Sequence, residues 1–497
     1  MSVYRKLIRH TSTYAVATVA RRFASFFMLP VYTRYFTTSD YGVLELLDLA
    51  GTIIFYLIGA RLSDGLLYFY AQAETEEEKL RVTHSALLTS HVCGLTGAIV
   101  GYLVAPWASI FMFGTDHYTY YMQLVFLTFA FTLPSEVGFG HLRAQNRSAL
   151  TATLSIIRLL LAIVTNVVML VWFHMGVASV LYSSLISAVV TCVYMDVTIL
   201  RGALRFDWAV VWRVCRYSAP LAISAVGITI IHSGDRFFLQ RYATLADVGL
   251  YALAYKFGTL VGYIQAPFET YWDAQVFHVI RDKNGEKLFV RTLTYYALAL
   301  FGAAVFVSLA AAPMLRVATK PAFYQAAALV PVVAFAYAIR GPADYFRGVF
   351  AICKQPSRNV IVTAAGVAIT LTAYATLIPR YRGWGAAVAT AITFLGMGVV
   401  SFWQSRKARI FHFEWRRLLQ IVVFSVSITT LALLYHPGTV VGQLAVSLAG
   451  AVAFPAALYL TGFFEASELA SIRHYARTGL QTVWMWRERA MAGKRHE

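Results

Sequence analysis

The sequence predicts an all-α polytopic membrane protein of about fourteen transmembrane helices, built as two six-helix lobes related by a parallel pseudo-repeat, with two extra C-terminal helices. Three observations predict it: a strongly apolar composition drawn out in membrane-length runs, basic residues that fall on one side of those runs, and an internal repeat. Of the 497 residues, 59% are hydrophobic and only 13% are charged, whereas a soluble domain carries about a quarter charged residues. The mean hydropathy is +0.62. Apolar stretches of about 20 residues or more recur from end to end, each long enough to cross a ~30 Å hydrocarbon core. A soluble chain of this length would divide into domains joined by polar linkers, and none is present.

In chain order the spans fall near 11–32, 43–70, 83–105, 119–140, 149–173, 177–199, 213–238, 248–273, 291–313, 323–349, 358–378, 384–404, 418–436 and 439–463. The first carries Arg21 and Arg22 inside its apolar stretch and has no small-residue cleavage site after it, so it reads as a transmembrane helix and not a cleaved signal peptide. If the N-terminus is cytoplasmic, 28 Lys and Arg residues fall in inside segments and 6 in outside loops. This bias fixes the orientation under the positive-inside rule, with both termini cytoplasmic. It also accounts for the net charge of +18, which in a soluble protein would point to nucleic acid; no nucleic-acid partner is expected. The outside loops are too short to fold into a domain. The acidic run Glu74, Glu76, Glu77 and Glu78 reads as a solvated inside loop. The organisation is an N-lobe over 1–206 (spans 1–6), a C-lobe over 207–411 (spans 7–12), spans 13 and 14 over 412–464, and a basic cytoplasmic tail over 465–497.

The repeat has an offset of 207. Residues 34–56 (RYFTTSDYGVLELLDLAGTIIFY) and 241–263 (RYATLADVGLYALAYKFGTLVGY) match without gaps at nine of 23 positions, among them Thr37/Thr244, Asp40/Asp247 and Gly42/Gly249. The Thr–x–x–Asp–x–Gly pattern reads as an outer turn with Asp as the N-cap of the following helix. Six spans separate the copies, so both insert with the same orientation and substrate belongs between the lobes. A weaker echo joins HMGVAS near Gly176 to RGWGAAV near Gly385.

The stretches LPVYTRYFTTSDYGVLEL and SGDRFFLQRYATLADVGLYALAYKFGTL resemble the polysaccharide-transport branch of the multidrug/oligosaccharidyl-lipid/polysaccharide exporter superfamily, and above all Wzx-type flippases of O-antigen and exopolysaccharide repeat units. The likeness covers the whole chain in length, repeat and span number, while its specific motifs are these two segments. It implies a two-lobed transporter with a cationic central cavity that moves undecaprenyl-pyrophosphate-linked oligosaccharide to the periplasmic leaflet by alternating access. Polysaccharide polymerase and other assembly proteins are implied as partners.

Charges inside spans carry the chemistry, because an Arg or Lys at mid-bilayer costs about 2.5–3.5 kcal/mol on insertion scales and faces a cavity or a partner. Arg21 or Arg22, Arg61, Lys256 and Arg340 are candidates to bind a pyrophosphate, which arginine forks and a mobile ammonium both suit. The resemblance adds that flippases of this kind use cations on their first, second and eighth spans, the places of Arg21, Arg22, Arg61 and Lys256. Equally, Arg61–Asp64 and Arg340–Asp344–Arg347 sit at i,i+3 and i,i+4 spacing and read as packing pairs on shared helix faces. Arg158 and Arg347 are weaker candidates. Glu45, Asp48, Glu269 and Asp273 are candidates for H⁺ or Na⁺ coupling, against a reading in which Glu45 and Asp48 are solvated at the outer interface. Asp235 and Asp40 read as helix-end residues.

The four cysteines form no CxxC pair, and the histidines, including His84, His91 and His141, show no metal spacing, so neither metal nor cofactor is expected. No glycine-rich phosphate loop is present, so this chain does not hydrolyse ATP, and no catalytic constellation marks an enzyme. The functional alternatives are a lipid II flippase and a multidrug/cation exporter of the same superfamily; the latter requires an acidic cavity.

Overall fold

The computed structural model describes residues 26–59, 61–201, 203–279, 285–353, 355, 357–408, 411–435, 439–465 and 468–469. Among these residues every regular element is helical. A first segment, α1 (26–35), leads into α2 (Thr38–Gly59), α3 (Leu62–Gln72), α4 (Glu76–Phe113), α5 (Thr119–Ala144), α6 (Ser148–Val171), α7 (Val177–Ile199) and α8 (Trp208–Tyr242). The second half continues with α9 (Leu245–Gly258), α10 (Gly262–Val279), α11 (Gly285–Ala318), α12 (Val330–Ile352), α13 (Arg358–Ala408), α14 (Trp415–Leu434) and α15 (Val440–Leu460).

Ten of these helical runs are long and apolar enough to cross a membrane, or up to eleven if the bent pair Pro321–Ala328 and Val330–Phe350 forms one span. Most of the expected first span (11–32) lies outside the described residues. The expected second span counts once, as α2 and α3, although it is interrupted at Arg61, whose backbone is left-handed (φ 53°, ψ 39°). The expected eighth span is α9 and α10, separated by residues 259–261. The expected eleventh and twelfth spans form the two legs of α13, which turns back at Arg382 (φ 49°, ψ −126°). Its legs run alongside each other, with Thr370 Oγ1 donating to Thr393 Oγ1 at 3.2 Å and Arg358 reaching the Gln404 carbonyl at 2.8 Å.

Both repeat turns are built by the same four-residue device. Thr37 N–H donates to Asp40 Oδ2 (2.9 Å) while Asp40 N–H donates to Thr37 Oγ1 (3.1 Å). Thr244 and Asp247 repeat this at 3.0 and 3.2 Å. The capping residue is therefore the threonine, and the aspartate is the third helical residue of a capping box, which corrects the expectation of an Asp N-cap. The acidic run is corrected in the same way: Glu76, Glu77 and Glu78 form the first turn of α4, capped by Thr75 through a box with Glu78. An anionic first turn suits the positive end of the helix dipole.

The two repeat helices then cross each other. A Cβ on Gly42 would lie 2.0 Å from the Leu245 carbonyl oxygen, and one on Gly249 would lie 2.0 Å from that of Thr38. Thr38 and Leu245 are themselves repeat-related (offset 207), so the contact is reciprocal, as a two-fold axis requires. Only glycine permits this approach of backbone to backbone. At the other end of the bundle, α3 packs on α8: a Cβ on Gly65 would meet Ser218 Oγ at 2.4 Å and Val214 at 2.9 Å. A separate apolar core there joins Leu62 and Leu66 of α3 to Leu87, Val137, Met195 and Val214. The halves thus touch at both ends, and the cavity lies between. Helices α14 and α15 attach to α11 through small residues, with Ser447 Oγ donating to the Leu309 carbonyl at 2.7 Å.

Candidate substrate cavity

Helix α2 supplies the cavity's charged wall. Tyr41, Glu45, Asp48 and Thr52 follow one another at three- or four-residue steps, so they project from one helix face. They line a cavity of about 470 Å³ together with Tyr32 of α1, Thr128 and Thr132 of α5 and Ser184 of α7. Lys256 of α9 is the one lining residue from the second half among the described residues. Its Nζ is 3.5 Å from the Tyr41 hydroxyl. The Tyr32 ring is held in place by Asn166 of α6, whose Nδ2 donates to its hydroxyl at 2.6 Å. Asp48 is exposed to this space, so it faces a cavity and not the outer interface.

Behind Glu45 stands a buried charge network joining the two halves. Arg236 of α8 is 8% exposed and donates through Nε to Glu45 Oε2 (3.0 Å) and through Nη1 to Asp235 Oδ1 (3.0 Å). Its Nη1 also donates to the His232 carbonyl (3.2 Å), and its guanidinium lies 4.6 Å from the Tyr255 ring centroid. Asp235 is fully buried and accepts a short hydrogen bond from the Tyr251 hydroxyl. Asp235 is therefore not a helix-end residue. Helix α8 runs on to Tyr242, and the expected end at 238 fell two residues from a charge pair that tertiary burial holds inside the helix. Two carboxylates flank one guanidinium, and the buried arginine is held by three hydrogen-bond acceptors and one aromatic ring face.

The other predicted residues are dispersed. Arg61 lines a different cavity of about 180 Å³, paired with Asp64 at 2.5 Å and accompanied by Glu136 and Arg143. Arg340 lines a third, of about 110 Å³, with His232; it pairs with Asp344 at 3.1 Å, and Arg347 pairs with the same carboxylate at 3.3 Å. The i,i+3 and i,i+4 pairings read from the sequence are thus formed. Arg158 pairs with Glu136 at 3.0 Å. Glu269 is half-buried on α10, within electrostatic reach of Tyr296. Arg21, Arg22 and the Asp273 side chain lie outside the described residues. One lobe interface does not gather all these charges: it gathers Glu45, Asp48, Lys256, Asp235 and Arg236. No sequence signal marks Arg236, because a position near a span end gives no sign of a partner 191 residues away.

This cavity, with hydroxyls, aromatic faces and charges of both signs, lies among repeat-related helices of a multi-pass membrane protein. A family profile described as polysaccharide biosynthesis protein matches residues 7–270, more than half of the chain, and the chain belongs to that family. Its fold is similar to that of the lipid II flippase MurJ in an inward closed conformation (TM-score 0.74, 14% identity, 90% of this chain and 99% of the other). It is also similar to an inward-facing multidrug resistance MATE family transporter of the MOP superfamily (TM-score 0.66, 14% identity, 78% and 94%). A MATE transporter in complex with MaD3S gives a TM-score of 0.57 at 15% identity, covering 81% and 95%. No curated relative matches the sequence significantly.

Proposed function

We propose that this protein is a flippase that moves an undecaprenyl-pyrophosphate-linked oligosaccharide, an O-antigen or exopolysaccharide repeat unit, from the cytoplasmic to the periplasmic leaflet by ion-coupled alternating access. The observation that carries the reading is Lys256, which reaches from the second lobe into the cavity of the first beside Tyr41, opposite the Glu45/Asp48 face. An ammonium on a flexible stem suits a pyrophosphate, and the tyrosine rings and threonine and serine hydroxyls suit sugar. Arg21 and Arg22 are assigned to the same task on the sequence argument alone. Arg61 and Arg340 would act, if on the substrate, from their separate cavities. Asp48 and Glu45 are the coupling candidates that face the cavity, for H⁺ or Na⁺; Glu269 and Asp273 stand as sequence-based candidates. Orientation follows the positive-inside bias, which puts the α2–α9 crossing at the periplasmic end and both termini in the cytoplasm of an inner membrane. Polysaccharide polymerase and other assembly proteins are the partners proposed for this activity.

One observation favours a second reading. Asp48 gives the cavity an acidic face of the sort a cation exporter needs. Purified protein in proteoliposomes decides between them, with a short-chain polyprenyl-pyrophosphate sugar and a cationic dye offered as substrates in parallel. Protein-dependent exposure of the sugar on the opposite side, without dye transport, is the expected result. Dye transport without lipid translocation would assign the exporter function.

A further inference from the structure

We infer that His91, Cys192 and Asp196 form a binding site for a divalent transition-metal ion of the Zn²⁺ class that ties α4 to α7. The three residues are unconnected in the sequence by any metal-ligand spacing, because they come from two helices 101 residues apart at the nearest (His91 and Cys192). Cys192 and Asp196 are four residues apart on α7 and share a face of it. His91 meets that face from α4: its Nε2 is 3.0 Å from Asp196 Oδ1, and Cys192 Sγ is 3.4 Å from Asp196 Oδ2. All three ligand atoms lie within 4.8 Å of one another. Bonds of about 2.0–2.3 Å in a tetrahedral Zn²⁺ site put neighbouring ligand atoms roughly 3.3–3.8 Å apart, so small side-chain rotations suffice.

The donor set selects the ion. One thiolate, one imidazole and one carboxylate suit Zn²⁺ and its neighbours in the first transition row, whereas Mg²⁺ and Ca²⁺ take oxygen ligands. Three protein ligands leave a fourth position for water or an exogenous ligand. Cys192 is 2% exposed, while the His91 and Asp196 side chains are each about a quarter exposed, so the fourth position opens on the surface of the α4–α7 pair. The site is also preorganised from below. His84, two turns earlier on α4, has its Nε2 3.1 Å from the carbonyl of Ile199, the last residue of α7, so the two helices are already in register. Binding takes the thiol proton from Cys192 to solvent and uses the neutral imidazole, with no change of oxidation state. None of the three residues lines the substrate cavity, so the inference does not rest on the flippase reading.

The test uses full-length protein in detergent, stripped of metal and titrated with Co²⁺. The expected result is one Co²⁺ per chain with a thiolate-to-cobalt charge-transfer band in the near ultraviolet. That band should vanish in Cys192→Ser and persist when Cys93, Cys215 and Cys353 are all changed to Ser. His91→Gln should weaken Zn²⁺ binding by more than the roughly 100-fold that losing an outer-shell partner costs, and should abolish the Zn²⁺-dependent rise in Tm. Substoichiometric Co²⁺ without a thiolate band in the wild-type protein overturns the site, as does a band that survives in Cys192→Ser. If Cys192→Ser fails to fold, the wild-type stoichiometry and spectrum, with the triple cysteine variant alongside, still decide.

Discussion

The two copies of the repeated hairpin share a skeleton and differ in chemistry. Matched positions make the turn and the crossing: Thr37 and Thr244 cap, Asp40 and Asp247 complete the boxes, and Gly42 and Gly249 let the backbones touch. At the same offset of 207, Glu45 stands against Ala252, Asp48 against Tyr255, and Lys256 against Leu49. Arg236 and Asp235 stand against Leu29 and Met28. The first copy thus presents acids to the cavity and the second presents a base. A duplicated unit kept its closure device, where any change on one side must be met on the other, and specialised the faces that symmetry does not constrain. On the proposed function, matched residues govern opening and closing, while unmatched ones govern what is carried.

The largest effect should come from the unmatched network. Arg236→Ala leaves Asp235 and Glu45 without their guanidinium and should destabilise the protein by about 3–5 kcal/mol, read as a drop in Tm in detergent. A loss below about 1 kcal/mol would mean water already neutralises those carboxylates. Next comes the matched crossing. Gly42→Ala and Gly249→Ala each drive a methyl into a backbone carbonyl, and overpacking of this kind costs about 1–3 kcal/mol. Because the strain exists only where the helices cross, each should raise the population in which the α2–α9 crossing is open, by amounts agreeing within a factor of about three. Spin-label distances across residues 39 and 246 would report it. Unequal responses would break the symmetry argument. Cap removal is smaller: Thr37→Ala and Thr244→Ala should each cost about 0.5–2 kcal/mol, again alike in thermal unfolding. Smallest in stability is Asp48→Asn, which faces open space and should stay within about 0.5 kcal/mol while altering the dependence of transport on pH or Na⁺. A large fall in Tm would make Asp48 a structural residue.

Much of this was legible in the chain. Apolar runs, turn signals and the offset-207 match specify the helices, the hairpins and the axis, since membrane insertion forces each run into a helix whatever its neighbours do. The same-helix pairs Arg61–Asp64 and Arg340–Asp344 were legible for a similar reason: helical periodicity alone puts them together. What the sequence concealed depends on how helices pack. Asp235 and Arg236 read as a span end, yet a partner on α2 holds them buried. Arg61 and Arg340 were expected beside Lys256, yet face other cavities because α3 and α12 present them elsewhere. His91 had no visible ligand partner, as Cys192 and Asp196 meet it only across a helix pair. Arg61 also breaks its own helix with a left-handed backbone, a conformation no residue preference announces.

The most direct test is lipid translocation by Lys256→Ala in proteoliposomes, against wild type and against Leu49→Ala, its repeat mate, as the packing control. Lys256→Ala should retain its fold and lose at least about 90% of translocation, a tenfold change equal to roughly 1.4 kcal/mol, while Leu49→Ala lowers Tm and keeps translocation per folded molecule. Wild-type translocation by Lys256→Ala would contradict this, and Lys256 would then have no part in carrying substrate.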